Sequence, residues 1–254
     1  MALIGTRPFT PSDIATFAWY DASDESTISD TAGAVSQLDD KSSSGYHMVP
    51  KEPGNEPSTG TRTLNGLNVL DFDGVTDMLY VTPQPSNQPP SAILIGVFDV
   101  DTDQANRDGL FNNQDRAGLH ADNFYGGPGK INGVSDDNIT YGSYLFGPNI
   151  TCGVVNWDAS ASLPLSYCRA YNNGTQDGSD IACIREWTDG GNLSLMTENN
   201  LAQTTKGAVA EVIWVSNDTS EATRQKLEGY LAWKWGLVAN LPISHPYKLA
   251  RPTA

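Results

Sequence analysis

The chain has 254 residues, 39% of them hydrophobic, with six Trp, ten Tyr and seven Phe to fill a core and 24 Gly and 15 Pro to make many turns between short strands. Fifteen Lys and Arg against 30 Asp and Glu give a net charge of −15 and a pI near 4.3, a balance that repels polyanions and excludes nucleic acid and an anionic membrane surface as partners. The longest apolar run, residues 92–98, is far short of the ~20 residues a membrane helix needs, and no basic stretch followed by an apolar one marks the start as an export signal, so a soluble protein is expected.

In chain order, residues 14–20 read as an early strand, and the polar stretch that follows holds one alternating island at 34–38. Residues 42–65 are broken by Pro50, Gly54, Pro57 and Gly60 and read as loop. Residues 67–72 and 78–81 are expected to pair as a hairpin around Asp73-Gly74. The Pro-rich segment 83–90 reads as a rigid surface loop. Residues 92–97 are the most apolar strand and should be central. Strands near 110–111, 150–157, 165–171 and 193–196 continue the series, with turns at Asn173-Gly174 and Gly190-Gly191, whereas periodicity fails over 124–147.

The end of the chain is the most regular. Residues 208–215 form a β-branched run fit for a buried strand. A helix over 220–235 follows, with Ser220 as N-cap and Glu221 in its first turn. Leu227, Tyr230, Leu231 and Trp235 make its apolar stripe, Glu228 falls on the edge, Gly229 on the far side, and Gly236 supplies the stop. Trp233 lies off that stripe. One helix must lie against a sheet made from everything upstream. The expectation is therefore one all-β domain over 1–254, two antiparallel sheets with one C-terminal helix, its two ends close together.

Residues that could carry chemistry are few. Asp99, Asp101 and Asp103 alternate, which would place three carboxylates on one strand face. As an EF-hand loop the stretch fails, because Gln104 stands where Gly is needed and Leu110 where the bidentate Glu belongs; an irregular calcium site at Asp99, Asp101 and Asp103 remains the weak metal candidate beside a solvated acidic loop. His47, His120 and His245 are too scattered for a triad or zinc site, and no Gly-x-Ser-x-Gly elbow occurs. The Gly126–Lys130 glycines lack the following Ser or Thr of a phosphate loop. Cys152, Cys168 and Cys183 have no metal or redox spacing and read as buried thiols. Rings beside short polar groups, the combination that stacks on and hydrogen-bonds a sugar, single out Asp122, Tyr125, Trp157 and Trp187 as carbohydrate-binding candidates.

Four stretches carry a family resemblance: FAWYDASDESTISDTAGAVSQLDDKSSSGYHM near the start, NVLDFDGVTDMLYV at 68–81, YCRAYNNG at 167–174, and AEVIWVSNDTSEATRQKL with EGYLAWKWGLVANLPISHPYK at the end. Together they resemble concanavalin A-like lectin/glucanase modules, the laminin-G-like jelly rolls of bacterial surface and phage proteins. The resemblance implies a concanavalin A-like jelly-roll sandwich. It points to a non-catalytic phage virion structural protein, a capsid decoration or a tail or appendage module. Its partners would be other virion proteins, with a host or environmental glycan as ligand and a homo-oligomeric state set by its mount on the particle surface. Calcium is common in that superfamily, which adds Asp21, Asp24, Asp71 and Asp73 as groups that short turns otherwise explain. The alternatives are a bacterial surface lectin and a glucanase-type enzyme. Laminarinase-like members use a Glu-x-Asp-x-Glu strand; here Asp stands at both Glu positions, each a methylene short in chemistry set to about an ångström, so no catalysis is expected.

Overall fold

The computed structural model describes residues 7–85, 88–101, 107–113, 117–122, 146–158, 162–182, 193–197 and 204–254. In chain order the strands are β1 (Thr16–Asp21), β2 (Ile28–Thr31), β3 (Ala34–Leu38), β4 (Met48–Pro50), β5 (Thr63–Leu64), β6 (Leu67–Asn68), β7 (Leu70–Asp73), β8 (Leu79–Val81), β9 (Ser91–Val100), β10 (Arg107–Asn113), β11 (Ala117–Asp122), β12 (Gly147–Asn156), β13 (Tyr167–Asn172), β14 (Thr175–Ile181), β15 (Leu193–Leu195) and β16 (Lys206–Ser216), and the helix α1 (Glu221–Lys234) follows. The first sheet runs β1-β16-β9-β12-β13-β14, with β7 also on β16; the second runs β11-β10-β15-β8-β4-β3-β2. This is the expected all-β sandwich of antiparallel sheets with a C-terminal helix, and β9 is central as its apolarity demands.

Alternation along β9 explains why that strand reads as one continuous apolar run. Ala92, Leu94, Phe98 and Val100 enter the core between the sheets, while Ile93, Ile95 and Val97 enter a second core under α1, so both faces are buried. Between the sheets the rings of Phe17 and Phe111 pack on Trp214 at 4.6 and 6.3 Å. In β16 a bulge between Val209 and Glu211 changes the phase of burial. It leaves Ala210 in the second core and brings Glu211 to Trp235 and Tyr230 of the helical layer.

Ser220 caps α1 by accepting from the Thr223 N–H at 3.3 Å, and Asp218 accepts from Ser220 N–H and the Thr223 hydroxyl. Leu227 and Leu231 of the predicted stripe are buried, together with Trp235 just beyond the helix. The predicted polar side is not open to water: Glu228 and Gly229 are buried too. The chain after Gly236, which turns with φ +75°, folds back over that side. His245 Nε2 meets Glu228 Oε2 at 3.1 Å and Arg224 Nη1 donates to Glu228 at 2.6 Å. Trp233 Nε1 donates to the Tyr247 carbonyl at 2.9 Å, which explains its place off the stripe. Lys248 Nζ secures the returning segment by donating to the carbonyls of Val238, Ala239 and Leu241.

The two ends of the chain meet, as expected: Pro8 bridges Thr253, Phe9 N–H donates to the Pro252 carbonyl at 3.1 Å and Ala254 N–H to the Arg7 carbonyl at 3.0 Å. Two local expectations are corrected. The hairpin around Asp73-Gly74 does not form, because β7 pairs with β16 in the first sheet while β8 lies between β4 and β15 in the second. Asp73 makes the crossing turn by accepting from the N–H groups of Val75, Thr76 and Asp77 at 2.7, 2.9 and 3.0 Å. The supposed loop 42–65 contains β4 and β5, too short to show a period.

Candidate functional site

While α1 closes the outer side of the first sheet, the outer side of the second is built from short strands that send apolar residues inward and polar ones outward. Leu79 and Val81 are buried on either side of half-buried Tyr80, and Leu193 and Leu195 flank Ser194. Register sets the outward residues side by side: Asn112 opposite Ser194, Ser194 opposite Tyr80, Tyr80 opposite Val49, and Gln37 opposite Ser29. The Leu38–Met48 pair places Gln37 next to Val49. The row thus crosses β10, β15, β8, β4, β3 and β2, a span of roughly 24 Å at the usual strand spacing.

One half of the row is rigid and the other open. The Ser194 hydroxyl donates to Asn112 Oδ1 at 2.8 Å and Asn112 Nδ2 to the Thr197 carbonyl at 2.7 Å, both residues being buried. Gly118 is obligatory beneath them, since a Cβ there would lie 2.1 Å from Asn112 Cβ. Toward β3 and β4 the row runs into a cavity of about 370 Å³ lined by Gln37, Tyr46, His47, Val49, Pro83 and Gln84. His47 Nδ1 there accepts from the Asp40 N–H at 3.2 Å and lies 3.0 Å from Asp39 Oδ1. Among the described residues none makes a hydrogen bond with the Tyr80 hydroxyl or the Gln84 amide. A flat ring with an open phenol, next to a cavity that carries the Gln37 and Gln84 amides, offers stacking to the C–H face of a sugar and hydrogen bonds to its hydroxyls.

Of the four residues singled out from sequence as carbohydrate-binding candidates, Asp122 and Trp157 fall among the described residues, and these two lie apart. Asp122 closes β11 opposite Arg107, beyond the Val100 end of β9, whereas Trp157 follows Asn156, which pairs with Ser91 at the other end of β9. Trp157 is half-buried and packs on the core between the sheets. Tyr125, Trp187, Asp103 and Cys183 lie outside the described residues, as do the turn at Gly190-Gly191 and most of 124–147. Cys152 and Cys168 are buried on neighbouring strands, and burial pushes the Cys152 thiol well up.

Asp99 and Asp101 do share a face, but they face a cation of the chain itself. Arg62 Nη2 donates to both at 2.7 Å, and its Nη1 to Asp71 at 3.1 Å. Both carboxylates are therefore engaged by a guanidinium of the chain, while Asp103, the third member of the candidate calcium site, lies outside the described residues. Among the described residues no group of three His, Cys, Asp or Glu has metal-holding geometry.

A second acidic cluster belongs to the helical layer. Glu211 accepts from Trp19 Nε1, Tyr230 hydroxyl, Lys234 Nζ and Trp235 Nε1 at 2.7, 2.9, 2.7 and 2.9 Å. Lys234 also donates to Asp21 at 2.7 Å, and Lys41 to Asp21 at 2.9 Å. Burial, with Asp21 nearby, raises the Glu211 carboxyl despite Lys234. For Asp21 the same burial pulls upward, but the two lysines and Ser23 prevail and its carboxyl lies below the usual range. The opposite directions follow from depth: Glu211 is fully enclosed and Asp21 is not. With four donors already on Glu211, this cluster ties β1, β16 and α1 together.

The fold and this outer face define an antiparallel β-sandwich with a polar, ring-bearing strip on its second sheet. No family model matches the chain, and no curated protein matches it in sequence. Solved structures do share the fold. Domain 4 of an extracellular GH43 arabinanase from Geobacillus stearothermophilus, solved with arabinotriose, superposes with a TM-score of 0.59 at 11% identity over 82% of this chain and 95% of that one. An arabinofuranosidase complexed with arabinofuranosyl-α-1,2-xylobiose gives 0.54 at 13% identity over 89% of this chain and 59% of that one. Trypanosoma rangeli sialidase with sialic acid gives 0.53 at 13%, over 90% and 36%. The chain thus spans little more than half of the arabinofuranosidase and about a third of the sialidase. The expectation of a protein that is not an enzyme is corrected by these neighbours: the fold occurs within glycosidases, so it gives no ground for setting catalysis aside.

Proposed function

We propose that the chain is a glycan-recognising sandwich of concanavalin A-like type that serves glycoside processing, taking a neutral oligosaccharide along the outer row of the second sheet. The observation that carries this reading is the register that lines up Asn112, Ser194, Tyr80, Val49, Gln37 and Ser29 across six strands. Tyr80 supplies the stacking ring and Gln37 and Gln84 the donors and acceptors, while the buried Asn112–Ser194 pair fixes β10 and β15 beside Tyr80 without facing the ligand. The fold neighbours, one solved with arabinotriose and another with an arabinofuranosyl xylobiose, support the glycan-directed alternative over a virion structural role. They also favour a second reading, in which the chain itself cleaves the glycan it holds.

Calorimetric titration of the full chain with arabinotriose and with neutral xylo-, gluco- and galacto-oligosaccharides tests the proposal, with released reducing ends measured in parallel. Saturable binding to one of these series is expected, weakened at least about tenfold by Tyr80→Ala, the size of one lost ring contact. Binding indifferent to Tyr80→Ala and Gln37→Ala would remove the row as the site. Product release would move the protein to the second reading.

A further inference from the structure

A second cavity, about 380 Å³, lies on the opposite side of the molecule, where the joined chain ends meet α1; Phe9, Leu67, Tyr230, Trp233, Lys234 and Arg251 are among its lining residues. Its construction follows from contacts already described. The pairing of Phe9 with Pro252 and of Arg7 with Ala254 holds Phe9 and Arg251 at one place. Phe9 packs edge to face on Tyr230 with centroids 6.1 Å apart, and the bond from Trp233 Nε1 to Tyr247 fixes the indole. Cations flank every ring: Lys226 lies 5.0 Å from the Phe9 centroid, Lys234 5.7 Å from Tyr230, and the Arg251 guanidinium 5.4 Å from Trp233.

Arg251 is the informative member. Arg7, Arg62, Arg169 and Arg224 each hold a carboxylate. Arg251, alone among the arginines whose side chains are described, holds none, in a chain with 30 acidic residues against 15 basic ones. Of the two cations that line the cavity, Lys234 is already neutralised by Asp21 and Glu211, so the Arg251 guanidinium is the one left to read a ligand. A planar guanidinium fork matches a carboxylate in two parallel bonds, and aromatic faces match the C–H face of a pyranose. The volume falls in the range of ligand sites.

We infer that this cavity is a second site, independent of the strand row, for a sugar bearing a carboxylate: a uronate ring lies against the half-buried Tyr230 and Trp233 and its carboxylate pairs with Arg251. The protein then recognises an acidic glycan on the helical side and a neutral one on the other.

The test uses the full chain titrated with tri-galacturonate and with its fully methyl-esterified, neutral counterpart, followed by calorimetry and tryptophan fluorescence. The free acid is expected to bind at least about tenfold tighter than the ester, as loss of a charge-assisted pair requires, and to weaken with added salt. Arg251→Gln should abolish that preference without changing the melting temperature, since Arg251 is exposed, while Tyr80→Ala leaves it intact, which separates this site from the strand row. Equal affinity for acid and ester, a preference that survives Arg251→Gln, no binding at millimolar concentration, or tighter capture of an acidic peptide with a C-terminal Phe would each overturn the assignment.

Discussion

Gly229→Ala sets two effects of opposite sign against each other. In an exposed helix interior the change favours folding by about 1 kcal/mol, because Gly has more backbone freedom to lose than Ala. Here α1 is roofed by the returning C-terminal segment. A Cβ on residue 229 would stand 2.5 Å from Tyr247 Cβ and 2.7 Å from its Cγ, and the first of these neighbours sits at the backbone, where no rotamer change can relieve it. The segment must move away, which strains the 2.9 Å bond between Trp233 Nε1 and the Tyr247 carbonyl and the 3.1 Å contact of His245 with Glu228. Overpacking costs about 1–3 kcal/mol and a strained buried hydrogen bond about 1 kcal/mol more. Against the ~1 kcal/mol helix gain the net is a loss of about 2 kcal/mol, a fall in melting temperature of roughly 4–8 °C for a chain of this size. Urea denaturation followed by tryptophan fluorescence measures it. In a Tyr247→Gly background the roof over residue 229 is gone, and the same Gly229→Ala change should turn stabilising by about 1 kcal/mol. A stabilising Gly229→Ala in the otherwise unaltered protein would refute the covered helix.

Lys234→Met removes the cation shared by Asp21 and Glu211 and should cost about 3–5 kcal/mol near neutral pH, as stranding buried carboxylates does. Asp21 is held below its ordinary value of 3.8 in the folded state, so its contribution is present above that value and fades as pH falls through the folded one; denaturation at pH 7 and at pH 3 should show the penalty shrinking in acid. Asp77 runs the other way. Burial first, then the charges of Asp73, Asp71 and Glu56, lift its carboxyl to about 6, although it accepts a bond from Asp73 N–H. A raised acid stabilises the fold below its unfolded value of 3.8 and loses that benefit as pH rises through about 6. Asp77→Asn should therefore stabilise the protein at pH 7.5 and leave it unchanged at pH 3.5, read from melting curves at the two values, and a larger gain in acid would contradict the assignment.

The parts of the fold legible in the sequence were those whose signal is local. The run at 208–215 and the stripe Leu227, Leu231, Trp235 each state their burial within a few residues, and β9 betrays its central place because both of its faces are apolar. What failed was pairing. Asp73-Gly74 has the chemistry of a hairpin turn, yet the same Asx turn serves equally to carry a chain between sheets; the choice is made by β16 and β15, more than a hundred residues downstream. The polar side of α1 misled for a related reason: Glu228 and Gly229 are polar or small because they meet His245 and Tyr247, not because they meet water.

The candidate site is hidden by that same separation. Its row gathers Ser29, Gln37, Val49, Tyr80, Asn112 and Ser194 from strands spread over two thirds of the chain, and only the two-residue alternation in Leu79-Tyr80-Val81 and Leu193-Ser194-Leu195 hints that the middle residue points outward. Clusters close in sequence point to Asp122, Trp157 and the Asp99–Asp103 repeat instead. Yet in an antiparallel sheet nearness along one strand sends neighbours to opposite faces, and nearness across strands builds a surface. The Asp repeat obeys this rule, since Asp99 and Asp101 reach one face together. There they find Arg62, which comes from far upstream just before β5, and whether such a group is a ligand site or an internal ion pair depends on that distant residue. Arg251 is the converse case, a cation that folding leaves without an acid.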